Sequence, residues 1–458
     1  MENDQAKEIY CDNEEQETLP LIQGNYRVYW YRWYVLLLFI LFWIILTGST
    51  ALWSPINVSA ERALGFQKSD FDLIANWGVV GTVIFLPVGL WLLMKFGLRT
   101  VVVSGASLGF VGAGLRCLPL GENLKYAIHV GQILIGIGSS AVVGVAPYIS
   151  SAWFPSKERV FATGLMLLSG NLGGSLAYVL GPYLVEVPHN SSNSSSDTTT
   201  IRCQILNYMY LNFGMIAFVF LLMLIYFPSK PPSPPSHSAA LIRLDFVTSI
   251  KSLIRNRTYW AIVIVFDGVV GSFMAWWGIM PVLYADKEIS ETTSGWIGAA
   301  LVLFGTIIGS AIGRLADAIP SHRTKVFLIT LVLSYISCLY IVVMSLNWIP
   351  VIPFKFSEIG LWVSSMIAGV SVYALQPVTM EMAVDVAYPV GEGVAGYVLM
   401  WITMLMNVIF FSVLSVIKNQ DTAFYMMFAF LTSALPFAFF AIPKTYQRLN
   451  IDINVADK

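Results

Sequence analysis

Between two long apolar tracts the chain reads Pro228-Ser229-Lys230-Pro231-Pro232-Ser233-Pro234-Pro235. Five of these eight residues are proline; each lacks a backbone N–H and clashes with the preceding turn, so no helix passes through. The polar stretch continues to Arg257 and reads as a semi-rigid linker. Its flanks make it decisive. Windows of about 20 apolar residues, the length needed to cross a bilayer as a helix, recur six times on each side. Those before it are 33–56, 73–95, 100–118, 125–150, 160–185 and 207–227. Those after it are 258–284, 294–314, 325–346, 358–380, 394–416 and 423–442.

The composition agrees. A soluble chain of 458 residues would form two or three domains, but 57% of this one is hydrophobic and only 12% charged. That is half the charge of an ordinary globular protein, roughly 25%, and mean hydropathy is +0.70. The excess apolar surface must face lipid. No window alternates like a barrel strand, so each span closes its own hydrogen bonds as a helix. The sequence therefore predicts an all-α membrane protein with twelve transmembrane helices in two parallel six-helix halves. The expected parts are an N-tail (1–32), an N-terminal half (33–227), a linker (228–257), a C-terminal half (258–442) and a C-tail (443–458). Net charge is −1, so no basic field points to nucleic acid. The four cysteines have no metal-ligand spacing. No metal site, cofactor or catalytic constellation is expected, and the N-tail lacks the basic start of a cleaved signal.

Lys and Arg set the orientation. With the termini in the cytosol, 18 of the 26 fall on the cytosolic side and 8 on the far side. The far-side loop after the fifth window carries N-x-S sequons at Asn190 and Asn193, candidate glycosylation sites. Cys117 and Cys203 share that side and form a candidate disulfide.

The halves echo each other. Asn76-Trp77-Gly78 opens span two as Gly295-Trp296-Ile297-Gly298 opens span eight; Pro155-x-x-Glu158 and Pro389-x-x-Glu392 occupy matching loops. Parallel six-helix repeats around a central cavity describe one class of secondary transporter. Gly313-Arg314-Leu315-Ala316-Asp317, closing span eight, resembles the gating-loop motif of the major facilitator superfamily. That resemblance covers all twelve spans and implies that the carboxylate caps a helix of the other half. The matching loop after span two has Met94 in place of the acid, followed by Lys95 and Arg99. Trp153-Phe154-Pro155, Glu158, Arg159 and the Gly-rich fifth span (Gly164, Gly170, Gly173, Gly174, Gly181) also fit. The chain further resembles solute carrier family 49, relatives of the feline leukaemia virus subgroup C receptor. The matching stretches are Arg27-Val28-Tyr29, Trp53-Ser54-Pro55-Ile56, Gly112-x-Gly114-Leu115-Arg116-Cys117 and Tyr388-Pro389-Val390-x-Glu392-Gly393. The resemblance implies a lysosomal-membrane carrier of small organic solutes, with pyridoxine moved together with protons foremost. It also implies choline, ethanolamine and haem as substrates of other members. The glutamines tied to choline in the family fall near Ser139 and Met404 here.

An ionisable group inside the bilayer is costly and functional by default. Asp267 is the clear instance, about nine residues into span seven, or roughly 13 Å deep. It can take up a proton and release it as a cavity opens, or simply bond a Ser, Thr or Asn of a neighbouring helix. Glu381 and Asp385, one turn apart at the cytosolic end of span ten, read as gate residues paired with Arg159 or Arg314. Lys95, Arg99, Glu158, Arg159 and Asp317 complete the expected gate. Trp53, Trp276, Trp277 and Tyr284 can form a stacking wall for a planar ring or cation. With Gln132, Asn171 and Asn407 they are the substrate-binding candidates, unless those amides only join helices. In the N-tail, Glu17, Leu21 and Ile22 form an acidic dileucine pattern that clathrin adaptors read, favouring lysosome over plasma membrane. A monomer in lipid is expected. Three functions stay open: a proton-coupled carrier, an uncoupled facilitator, and a sensor on a carrier fold.

Overall fold

A computed structural model describes residues 26–66, 68–118, 124–186, 195–240, 244–284, 289, 291–319, 322–348, 357–416, 421–441 and 448. Asn190, Asn193, Glu17, Leu21 and Ile22 lie outside the described residues. Among the described residues the secondary structure is helical throughout. The first half comprises Arg32–Ala51, Lys68–Phe96, Leu98–Arg116, Leu124–Ser140 continued by Ala146–Trp153, Arg159–Leu184 and Ser195–Ile225. The second comprises Arg257–Phe266 running through Asp267–Gly271 into Ser272–Tyr284, then Glu291–Ala318, Arg323–Leu346, Glu358–Ala387, Glu392–Val416 and Asp421–Ala438. These are spans one to twelve. Ten are long and apolar enough to cross a membrane. The other two are span four, interrupted at 141–145, and span twelve, whose helix covers 18 residues.

Glycine decides two local features. Gly97 has φ +82°, the left-handed region an L side chain resists, and turns span two directly into span three. Gly173 lets span five cross span one so closely that any Cβ would collide with the Ile44 carbonyl and the Thr47 hydroxyl. Small residues at helix crossings substitute in lipid for the missing hydrophobic drive. The Pro-rich run is non-helical, and beyond it Asp245 caps a helix at Phe246–Arg255 by accepting from the amides of Val247 and Thr248. The linker also holds the N-tail: the Arg27 amide donates to the Pro234 carbonyl at 3.3 Å, and the hydroxyl of Tyr29 to Ser233 at 3.4 Å. Arg27 and Tyr29 before span one, the linker, Arg448 after span twelve and the ends of spans eight and ten thus lie at one face, called here the termini face.

The candidate disulfide is not formed. Cys117 is a free thiol buried in an apolar cluster with Trp53 and Ile128, whereas Cys203 is free and exposed.

Candidate functional site

Asp267 stands where span seven departs from α-helical geometry. It opens a π-turn, Asp267–Gly271, and π-turns inside α-helices concentrate at functional positions. Its carboxylate is buried, accepts the Thr403 hydroxyl of span eleven at Oδ1 (2.6 Å), and has no hydrogen-bond partner at Oδ2. Beside it lies a cavity with room for about one water, lined by Asp267, Gly271, Ser272, Met406, Phe410 and Phe430. The wall is mostly apolar, from spans seven, eleven and twelve. One carboxylate, one hydroxyl and one water-sized space suit a proton better than a metal ion, which needs several oxygen ligands.

A second constellation closes the termini face. Asp317 accepts from the backbone amides of Val160 (3.2 Å) and Phe161 (2.9 Å), the first turn of span five in the other half. Fully buried, it adds a negative charge to the positive end of that helix. Arg323 lies 3.7 Å from Asp317 and 2.7 Å from Asp385. Glu381 accepts from Thr163 (2.6 Å) and Ser150 (3.1 Å) of the first half. Deeper in the seam, the hydroxyl of Tyr397 donates to the Ala141 carbonyl, and the indole of Trp401 to the Val83 carbonyl at 3.1 Å. Tyr397 fits there because span four is broken beside it: a Cβ on Gly144 would stand 2.6 Å from the Tyr397 Cα.

Several expected pairings are different. Arg323 and Arg448 reach Glu381 and Asp385; the Arg159 charge also acts on Asp385, while its guanidinium donates to Ser236 (2.6 Å) and Ser238 (3.0 Å) of the linker. Arg314 lies over the Phe161 ring at 5.6 Å. Glu158 pairs with Arg32, 3.0 Å away within its own half. Lys95 and Arg99 are not part of this latch. Lys95 stands over Trp91 (4.8 Å) and Arg99 donates to the Leu224 carbonyl (3.0 Å), both within the first half. With Met94 in place of an acid, no carboxylate there can cap span eleven. Leu93 instead lies against Gly393 at that helix start.

The aromatic wall is also corrected. Trp53 is buried against Phe66, with ring centroids 6.3 Å apart, in the cluster beneath the short helix Asn57–Leu64. Trp276 points into the second half, where its indole N–H meets the Tyr284 hydroxyl (3.4 Å), itself bonded to Ser345 (2.9 Å). A buried indole needs such an acceptor, and this one draws the ring away from Trp53. Trp277 is half-buried beside Gly298. Asn171 is half-buried, and Asn407 donates to the Thr403 carbonyl of its own helix (2.8 Å). Gln132 joins a buried network: it accepts from Arg116 (3.1 Å) and donates to the Thr50 carbonyl (3.0 Å). Arg116 also bonds Ser49 and Asn212. Asp267 is therefore not the one ionisable group within the spans, since Arg116, Asp317, Glu381 and Asp385 are buried as well. Sequence reading missed Thr403, Arg448 and the Arg116 network; the local signal is Gly112, which lets the Gly131 carbonyl of span four approach one turn from Arg116.

Two six-helix halves meeting at a capped, ion-paired seam are the architecture of one class of secondary transporter. The Major Facilitator Superfamily family model matches residues 38–409, and the chain belongs to that superfamily. Within it the chain is a member of solute carrier family 49: it is 33% identical over 442 residues to the Solute carrier family 49 member 4 homolog of Xenopus laevis, covering 94% of this chain and 95% of that protein. The Choline/ethanolamine transporter FLVCR2 of Homo sapiens is 26% identical, over 86% of this chain and 72% of its own. Among solved structures, the transporter FucP in the outward conformation matches with TM-score 0.69 at 17% identity, over 89% of this chain and 99% of its own. The relatives are solute transporters, not enzymes.

Proposed function

We propose that the chain is a proton-coupled carrier of a small organic solute, pyridoxine foremost, working by alternating access in the lysosomal membrane with both termini in the cytosol. The observation that carries this reading is the Asp267 carboxylate, buried in a small apolar cavity with the Thr403 hydroxyl as its hydrogen-bond donor. Among the described residues no cation is paired with it and its Oδ2 accepts no hydrogen bond, so we read it as the group that exchanges a proton when the half opens. The closed seam at the termini face corresponds to a state facing away from the cytosol. Lys95 and Arg99 have no place in the gate of this reading; Asp317, Glu381 and Asp385 form it. Trp53, Gln132 and Asn171 are reached by substrate only after the halves rearrange. The lysosomal address rests on Glu17, Leu21 and Ile22, and the sequons at Asn190 and Asn193 would face the lumen.

The second reading, an uncoupled facilitator of choline or ethanolamine, is favoured by the names of the FLVCR relatives. Ser139 and Met404 at the positions tied to choline weigh against it. The test is uptake of labelled pyridoxine, choline, ethanolamine and haem at acidic and neutral pH, with the protein rerouted to the cell surface. Proton coupling predicts pH-dependent uptake that becomes pH-independent in Asp267→Asn. A flat response in the unaltered protein, or full pH dependence in the variant, would overturn it.

A further inference from the structure

Just before span one the chain is clasped to the linker. The Tyr26 hydroxyl shares a hydrogen bond with Nδ1 of His237 (2.6 Å), the Arg27 amide donates to the Pro234 carbonyl (3.3 Å), and the Tyr29 hydroxyl donates to Ser233 (3.4 Å). Within this clasp stands an exposed cation without an anion. The Arg27 guanidinium lies over the Tyr29 ring, 5.6 Å from its centroid, and among the described residues no carboxylate pairs with it. Arg32, by contrast, is paired with Glu158 at 3.0 Å. We propose that Ser233 is a phosphorylation site for a proline-directed protein kinase, and that Arg27 and Tyr29 form the receptor that holds its phosphate and tightens the clasp. The site rests on the reading that the linker faces the cytosol, where ATP is present.

Serine followed by proline occurs at two places in the chain, Ser54-Pro55 and Ser233-Pro234. The first lies in a helical turn, Ser54–Ile56, at the opposite end of span one. The second stands in non-helical chain, where the prolines of Pro232-Ser233-Pro234-Pro235 favour the extended form that a kinase groove accepts. Other linker serines are held more firmly: Ser229 accepts the Arg99 amide at 3.0 Å, and Ser236 and Ser238 accept from Arg159. The 3.4 Å bond at Ser233 exceeds the ordinary hydroxyl–hydroxyl distance of roughly 2.7–2.8 Å, so little is lost when the hydroxyl enters a kinase. In the transfer, Ser233 Oγ bonds to the γ-phosphorus of ATP as the bond to the bridging oxygen breaks. ADP leaves, and the hydroxyl proton passes to the catalytic carboxylate of the kinase. The product carries a charge near −2 and three strong acceptor oxygens. A guanidinium presents a planar fork that matches those oxygens. The Arg27 amide is bonded to the residue after Ser233, which keeps the two residues side by side, and the Tyr29 hydroxyl already donates to Ser233.

The test treats purified full-length protein in detergent, where both faces are open, with ATP and a proline-directed kinase. Phosphopeptide mapping should place the phosphate on Ser233, and Ser233→Ala should remove it. Hydrogen exchange at the Arg27 amide should then slow by about tenfold, the scale of one or two charge-assisted hydrogen bonds. Arg27→Gln should still be phosphorylated yet show no slowing. Arg27→Lys should show part of it, and about 1 M salt should weaken the gain. Packing of Arg27 on Tyr29 alone predicts no dependence on phosphate or salt. No phosphate on Ser233, or phosphate with unchanged exchange, would overturn the proposal. Protein isolated from cells treated with a phosphatase inhibitor should carry the same phosphate, and its absence there overturns the site. If protease added outside intact organelles also fails to cut the linker, that failure traces to the cytosolic topology.

Discussion

Asp317, on span eight, accepts a hydrogen bond from the amide of Phe161, the third residue of span five, at 2.9 Å. A helix begins with amides that have no partner in their own coil. Here a carboxylate of the opposite half supplies one, so the start of span five is satisfied only while the halves are together. Closure at the termini face therefore has a polar as well as an apolar component, and the polar one is lost on opening.

Replacing that charge tests the coupling. Asp317→Asn keeps the shape but removes the anion from the helix end, an effect of about 2 kcal/mol in buried geometry and roughly a thirtyfold shift between facing states. Arg323 retains Asp385, so the fold should survive. Spin labels at Thr100 and Lys325, exposed on opposite halves, should report a longer-distance population that grows at the expense of the short one. An unaltered distance distribution would show that the cap does not hold the seam.

Gly144 offers a steric test of the same closure. A Cβ there meets the Cα and ring of Tyr397 at 2.5–2.6 Å, and a backbone atom cannot swing aside. Gly144→Ala should cost about 1–3 kcal/mol of the closed state and slow transport, because span eleven can no longer lie against the break in span four. Gly174→Ala is the control. Nothing lies within 4 Å of a Cβ at that position, so thermal unfolding and transport should match the unaltered protein.

How far the sequence reached follows from what each signal depends on. Spans were legible because a window of about 20 apolar residues has one stable solution in lipid. Asp317 was legible because Gly313 and Asp317 form a local pattern whose distant partner is any helix start. Arg323 follows that pattern by six residues, but its bond to Asp385 depends on how spans nine and ten pack. Arg448 was illegible, since a single arginine in a polar tail carries no mark of burial. Trp276 was misplaced for a related reason: composition supplies aromatic rings without saying which face of span seven finds a hydrogen-bond acceptor.

The two cysteines permit a direct chemical check. Cys203 is exposed and Cys117 is buried at 8% exposure. Without reductant, a maleimide should modify Cys203 rapidly and leave Cys117 unmodified until the protein is denatured. Peptide mapping that found the two joined would contradict this arrangement.

The linker gives a prediction that reads pH. Hydrogen bonds from the side chain and amide of Thr248, and from the amide of Val247, hold the Asp245 carboxyl below its ordinary range. A carboxylate depressed in the folded state adds stability above its unfolded pKa and loses it as pH falls through the folded value. The first turn of Phe246–Arg255 should therefore be protected at neutral pH and fray in acid. Hydrogen exchange at the Val247 and Thr248 amides should show this, and Asp245→Ala should exchange rapidly at every pH. Asp245→Asn should be intermediate and nearly independent of acid, because an amide oxygen still accepts but carries no charge to lose. Unchanged exchange in Asp245→Ala would show that packing against span eleven, rather than the cap, holds the helix in place.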